Sequence, residues 1–213
     1  PPMGAGGARG AFAFDAFAQS GLPHRRLEQW KWSDFRQSIQ SIEASSAQSG
    51  PRMAPPANAI VLRFDGRSWD VPDGLPDGFR VFEKDTAQAL GNAEQLPMAA
   101  LTASQTGQPK TCDILQIEVS SSQEQPIFLD FAGAGREMAF ARIAFVVRPG
   151  ARVDVIEQHS CGAGLSAMLV EFGLQKGASA SRTLLQSGGH QEATAITGLV
   201  SLDEDSEFQQ TAL

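Results

Sequence analysis

Three stretches of this chain repeat one pattern at nearly constant spacing, and that spacing constrains the fold more than any other feature. Phe145-x-Val147-x-x-Gly150-Ala151-x-Val153 recurs 27 residues later as Phe172-x-Leu174-x-x-Gly177-Ala178-x-Ala180. It recurs 28 residues further on as Val200-x-Leu202-x-x-Asp205-Ser206-x-Phe208. Each copy holds two alternating apolar positions, a Gly or Asp, a small residue and the start of another alternating run. Gly and Asp both tolerate the left-handed backbone that a tight turn needs. A short period with one turn per copy is the signature of a solenoid, in which each coil buries its apolar side against the next. Stacking the copies predicts one internal column of Phe145, Phe172 and Val200, and a second of Val147, Leu174 and Leu202. The ladder weakens where Arg182 answers Val155. The competing arrangement is an antiparallel sandwich whose turns coincide in spacing. The predicted fold class is therefore mainly β, an incomplete parallel β-helix preceded by a small N-terminal helical or α+β region.

The segments ahead of the repeat divide the chain into residues 1–110 and residues 111–213. Ala11 to Ser20 spaces Phe14, Phe17 and Ala18 for one face of a short helix, and Gly21 with Pro23 ends it. Between Pro23 and Ile42 stand Trp30 and Trp32, and Phe35, Ile39 and Ile42 fall at helical intervals, with Ser33 placed to cap them. Ala44 to Ala59 is rich in Ser, Pro and Ala, offers little to bury and reads as a linker. Ile60–Phe64 and Arg67–Val71 alternate around Asp65-Gly66, a pair suited to a two-residue type I′ hairpin. Asp85 to Thr102 reads as helix broken near Gly91 and Pro97. From Ile114 to Leu213 the chain is almost all strand-like.

Composition excludes several classes of protein. In 213 residues, 17 basic side chains face 24 acidic ones, for a net charge of −7. That balance argues against broad nucleic-acid binding and against an anionic membrane surface. The two cysteines, Cys112 and Cys161, cannot form a disulfide framework and suit a reducing compartment. The longest apolar runs, such as Ile143 to Val147, are too short to span a bilayer, and Pro1 to Gly10 do not read as a signal peptide. A cytoplasmic location is the expectation.

Few residues invite chemistry. His159-Ser160-Cys161 sets an imidazole and a thiol two apart, on one face if both lie on a strand, so His159 and Cys161 are candidate metal ligands. A closed site needs more ligands than these two, and Cys112 and His190 are remote in sequence. His24 reads as exposed. Arg26, Glu28, Trp30, Lys31 and Trp32 interleave aromatic rings with cations, as a base-stacking platform would. With only Arg25, Arg26, Lys31 and Arg36 against Glu28 and Asp34, the plainer reading has the tryptophans anchoring the segment on the β body. Because parallel β-helices also serve as carbohydrate enzymes, carboxylates should then line up between coils. They do not: Asp154 aligns with Ser181 and Gln209, and Glu157 with Leu184 and Ala212. Asp203, Glu204, Asp205 and Glu207 crowd a predicted turn and read as a solvated acidic loop. No Walker-type phosphate loop occurs.

The segment from Gly21 to Phe35 carries Gly21, Leu22, Pro23, Arg25, Glu28, Trp30, Lys31, Trp32 and Ser33. It resembles the N-terminal signature of the SufB/SufD family of iron–sulfur cluster assembly proteins. The family's usual tyrosine after the lysine is replaced by Trp32, in a chain that has no tyrosine at all. The hairpin around Asp65-Gly66-Arg67, the run Pro149 to Glu157 and the coil repeat fit the same family. The resemblance implies an N-terminal helical region, a right-handed parallel β-helix and C-terminal helices. It implies a non-catalytic scaffold subunit paired with a SufB-like partner and docked by a SufC-like ATPase. Iron–sulfur cluster and ATP would be handled only through that complex, with no cofactor in this chain. Arg25, Glu28, Trp30, Lys31 and Trp32 would then be structural. The SufC contact, and the family's junction cysteine and histidine, would lie beyond Leu213. No catalytic or ligand position is therefore transferred. The uncapped last coil predicts association through the C-terminal strands. A carbohydrate-active β-helix enzyme, or an adhesin-like β-helix binding protein, is the alternative from another class.

Overall fold

The computed structural model describes residues 7–31, 35–40, 51–83, 96–106, 114–132, 138–160, 164–187 and 193–213. Eight strands of the solenoid follow one another in two alternating series: β4 (Ile114–Val119), β5 (Ile127–Phe131), β6 (Met138–Val147), β7 (Arg152–His159), β8 (Leu165–Leu174), β9 (Ser179–Gln186), β10 (Ala193–Leu202) and β11 (Glu207–Ala212). Even-numbered strands stack in one sheet, odd-numbered strands in the other, and every pairing among them is parallel. The chain therefore alternates between the sheets and climbs one rung per circuit, giving a flattened parallel β-solenoid of about three turns.

The predicted columns are present. Phe145 pairs with Phe172 and Phe172 with Val200, while Val147, Leu174 and Leu202 form the next file. Inward-pointing residues of both sheets make a single core, with Phe145, Phe172, Leu129, Phe131, Ile143 and Val170 all essentially inaccessible. The tight turns stack as well. Gly150, Gly177 and Asp205 adopt φ of 70°, 67° and 58°. The Gly150 N–H donates to the Lys176 carbonyl, and the Gly177 N–H to that of Glu204. A left-handed residue at this point in each coil is what the Gly/Gly/Asp spacing demanded. Asp203, Glu204, Asp205 and Glu207 are exposed around the last turn, and Glu204 pairs with Lys176 at 2.7 Å.

The first rung lies further upstream than the division at residue 110. β1 (Ile60–Phe64) runs parallel to β5 and extends that sheet, with Leu62 and Phe64 in the solenoid core. Its hairpin partner β2 (Trp69–Asp70) is antiparallel and closes the edge, burying Trp69 against Phe64 and Phe131. The hairpin tip is shifted by one from the expected Asp65-Gly66. Positive φ falls on Gly66 alone, and the Asp65 N–H donates to the Ser68 carbonyl. Gly66 and Arg67 are thus the two central residues, the glycine-first arrangement of a II′-type turn. Asp65 sits before them, its carboxylate accepting from the N–H groups of Arg67 and Ser68. On the other sheet β3 (Phe79–Glu83) adds antiparallel to β4.

Helices cover the outer face of the even-numbered sheet. α1 (Gly7–Ser20) ends at Gly21, whose φ of 68° and N–H bond to the Phe17 carbonyl make a left-handed cap. Its inward face is Ala13 with Phe17; Phe14 and Ala18, expected beside Phe17, point to solvent. A short turn at Glu28–Trp30 leads to α2 (Phe35–Gln40). α3 (Pro97–Gln105) is sandwiched between α1 and strands β6, β8 and β10. Pro97 begins this helix rather than breaking one, because at the first helical position its missing N–H has no intrahelical acceptor to lose. Gly91, Ser33 and Ile42 lie outside the described residues.

The opposite sheet carries the segment expected to be a linker. Residues 51–59 are largely exposed, yet Pro51–Met53 are fastened to the sheet. Ser187 Oγ donates to the Pro51 carbonyl at 2.7 Å, Arg52 pairs with Asp130, and the Met53 N–H donates to Gln158 Oε1 at 2.6 Å. Low apolar content concealed a contact made through main chain and charge.

Candidate functional site

Strand alternation sends Val153, Val155, Glu157 and His159 of β7 to the same side, into the solenoid. The first two meet the apolar core; the last two place an acid and an imidazole inside it. From the next rung Arg182, in register with Val155, points the same way. Its Nε donates to Glu157 Oε2 at 2.7 Å and its Nη2 to Oε1 at 2.8 Å, a two-pronged contact between fully buried groups. Nη1 reaches one rung further to Gln210 Oε1 at 3.0 Å. On the other side His159 Nε2 lies 2.5 Å from Glu157 Oε1, and its ring stacks on Phe131 with centroids 4.3 Å apart. A polar chain His159–Glu157–Arg182–Gln210 thus runs from the apolar interior over three rungs to Gln210, which is exposed on the last one.

Burial alone would push the Glu157 carboxyl up, but His159 and Arg182 outweigh it and hold it below the usual carboxylate range. An ionised carboxylate only accepts, so the network assigns the Nε2 hydrogen to His159 and leaves Nδ1 with a lone pair in the neutral ring. That Nδ1 and the Ser160 hydroxyl are buried with no hydrogen-bond partner among the described residues. The cluster fixes a buried carboxylate–guanidinium pair beside the His159 ring.

His159 therefore lies in a buried charged cluster with Glu157 and Arg182, while Cys161 lies outside the described residues. β7 ends at His159. Among the described residues no group of three or more His, Cys, Asp or Glu side chains is arranged to hold a metal ion. Cys112, His190 and Trp32 are likewise outside the described residues. Spacing analysis missed Glu157 and Arg182 as partners, although the break in the ladder at Arg182 marked the place.

The remaining motif residues sit on the helical face. Trp30 is half-buried, tilted against Phe35 at 5.9 Å, in a cluster with Leu22, Met98, Leu101, Leu165 and Ala195. Arg25, Glu28 and Lys31 are exposed, and His24 is half-buried with Nδ1 accepting from the Arg26 N–H. Trp30 is packed into this cluster, and its companion Trp32 lies outside the described residues. The same face buries a second ion pair, Arg142 Nε to Glu171 Oε2 at 2.7 Å. At the far rung Val200 and Leu202, core residues by alternation, are 42% and 52% exposed.

These features define a parallel β-solenoid with an ion-paired interior, braced by helices on one sheet. No described helix is long and apolar enough to cross a membrane. No family model matches the chain, and no curated protein matches it.

Proposed function

We propose that this chain is a SufD-like scaffold, a non-catalytic subunit of a SUF-type iron–sulfur cluster assembly complex working in the cytoplasm. The observation that carries the reading is the Gly21–Ser33 motif standing ahead of a parallel solenoid with a 27- to 28-residue period. A scaffold needs rigid, extended surface more than a reactive pocket, and a stacked β core supplies it. In this reading Arg25, Glu28, Trp30, Lys31 and Trp32 shape the attachment of the N-terminal region. The exposed β10–β11 rung is where a SufB-like subunit would dock. A SufC-like ATPase, the iron–sulfur cluster and ATP belong to the complex.

Affinity purification of the full gene product from its native cell tests the reading. SufB-like and SufC-like proteins should co-purify in stoichiometric amounts, and the isolated chain should hydrolyse no ATP and retain no stoichiometric iron. Reproducible purification without either partner, or turnover of a polysaccharide by the isolated chain, would overturn it.

A further inference from the structure

The interior changes character at the corner where the chain passes from β7 to β8. On the inward side of β8, Leu174, Phe172, Val170 and Met168 belong to the apolar core. Alternation puts Ser166 at the next inward position, near the start of the strand, and it is fully buried. Its column runs from Ala139 on β6 through Ser166 to Thr194 on β10, and the Ser166 and Thr194 hydroxyls lie 3.0 Å apart. On the odd-numbered sheet β7 ends with His159, and residues 160–164 carry the chain from there to β8. His159 and Ser160 are 1% and 0% exposed, yet His159 Nδ1 and Ser160 Oγ have no partner among the described residues. Ala139 and Ser166 are also small where Phe145 and Phe172, further along the same two strands, are large.

We propose that this corner is an internal hydration site, where ordered water donates to His159 Nδ1 and joins it to the hydroxyls of Ser160, Ser166 and Thr194. The hydrogen inventory calls for a ligand that both gives and accepts. With its Nε2 hydrogen directed at Glu157, His159 offers a lone pair at Nδ1 and needs a donor there. In the Ser166–Thr194 pair one hydroxyl donates to the other, and the accepting hydroxyl keeps a hydrogen to give. An unpartnered buried polar atom costs a folded protein more than the immobilisation of one water molecule. An anion would meet the Nδ1 lone pair and the nearby Glu157 carboxylate. A metal ion would need ligands beyond one imidazole and a few hydroxyls, and no such group is arranged among the described residues. Water at Nδ1 also keeps the hydrogen on Nε2, the tautomer that the Glu157 carboxylate requires. The inference stands apart from the scaffold reading and needs no SUF partner.

The test is nuclear magnetic resonance of the whole chain carrying His24→Gln and His190→Gln, which leaves His159 as its single histidine. The nitrogen-15 shift of Nδ1 should be that of an unprotonated nitrogen accepting a hydrogen bond. Magnetisation should pass from water to the ring C–H between the two nitrogens, with the sign of a long-lived bound molecule. That transfer should persist in Ser160→Ala, because its source is water and not the serine hydroxyl. Ser166→Val puts methyl groups in the water's place, so it should abolish the transfer and move Nδ1 to the shift of a free lone pair. Thr194→Val, close to isosteric, should weaken the transfer and serves if the Ser166 variant does not fold. A free Nδ1 without transfer from water in the parent chain overturns the proposal. So does transfer lost in Ser160→Ala, transfer untouched by both valine variants, or a crystal structure with a protein donor seated on Nδ1.

Discussion

Phe145 and Phe172, 27 residues apart in the chain, lie face over face with ring centroids 4.7 Å apart and planes within 7°. Phe208 from the opposite sheet leans on the same stack at 5.0 Å from Phe172. Removing the middle ring therefore opens the core between two rungs. Phe172→Ala should cost about 3–5 kcal/mol, measured as a shift in the denaturant midpoint. Val200→Ala, in the same column but 42% exposed, should cost well under half of that.

Arg182 and Glu157 should behave as a unit. Arg182→Met strands a buried carboxylate with only His159 to answer it, and a loss of about 3–5 kcal/mol is expected in equilibrium unfolding. Changing both, Glu157→Leu with Arg182→Met, removes the stranded charge and should recover most of that loss. Equal destabilisation in the single and double variants would mean that packing, not charge, governs the site.

The pH dependence follows from the depressed Glu157 carboxyl. Its folded-state value lies below its unfolded one, so the stabilisation is fully present above the ordinary carboxylate range. It is lost as pH falls through the lower, folded-state value. Urea midpoints from neutral pH down to strong acid should show this fall. Glu157→Gln should be less stable at neutral pH and should flatten the acid limb.

At the stacked turns a Cβ on Gly177 would meet nothing within 4 Å, so only backbone strain opposes it. Gly177→Ala should cost about 1–2 kcal/mol by thermal or chemical unfolding, and Gly177→Asn clearly less, since asparagine visits the left-handed region more readily.

The coil register was legible in the sequence because in-register stacking forces like residues into like columns, from Phe145 over Phe172 to Val200. The internal ion pair was not. Arg182 pairs diagonally with Glu157, two residues along the strand from its own column mate Val155, so a column-by-column comparison set Glu157 beside Leu184 and saw no partner. Inward alternation from Val153 through Val155 to Glu157 was the signal available. The docking of Pro51–Met53 left no trace, because it is carried by main chain and one guanidinium rather than by any periodic apolar pattern. The inward face of α1 was misread because Ala13, small enough to sit close to its neighbours, is buried while the larger Phe14 is not.

A plain stack of coils opens rung by rung, each coil answerable only to its neighbours. Here α3 lies across β6, β8 and β10 on one side, and residues 51–53 tie Asp130, Gln158 and Ser187 on the other. Both braces run across the layers, as cross-plies do in plywood. The middle rungs cannot peel singly without detaching a brace that also grips the rungs beside them, so hydrogen exchange across β6 to β9 should report one shared opening rather than a gradient from the ends.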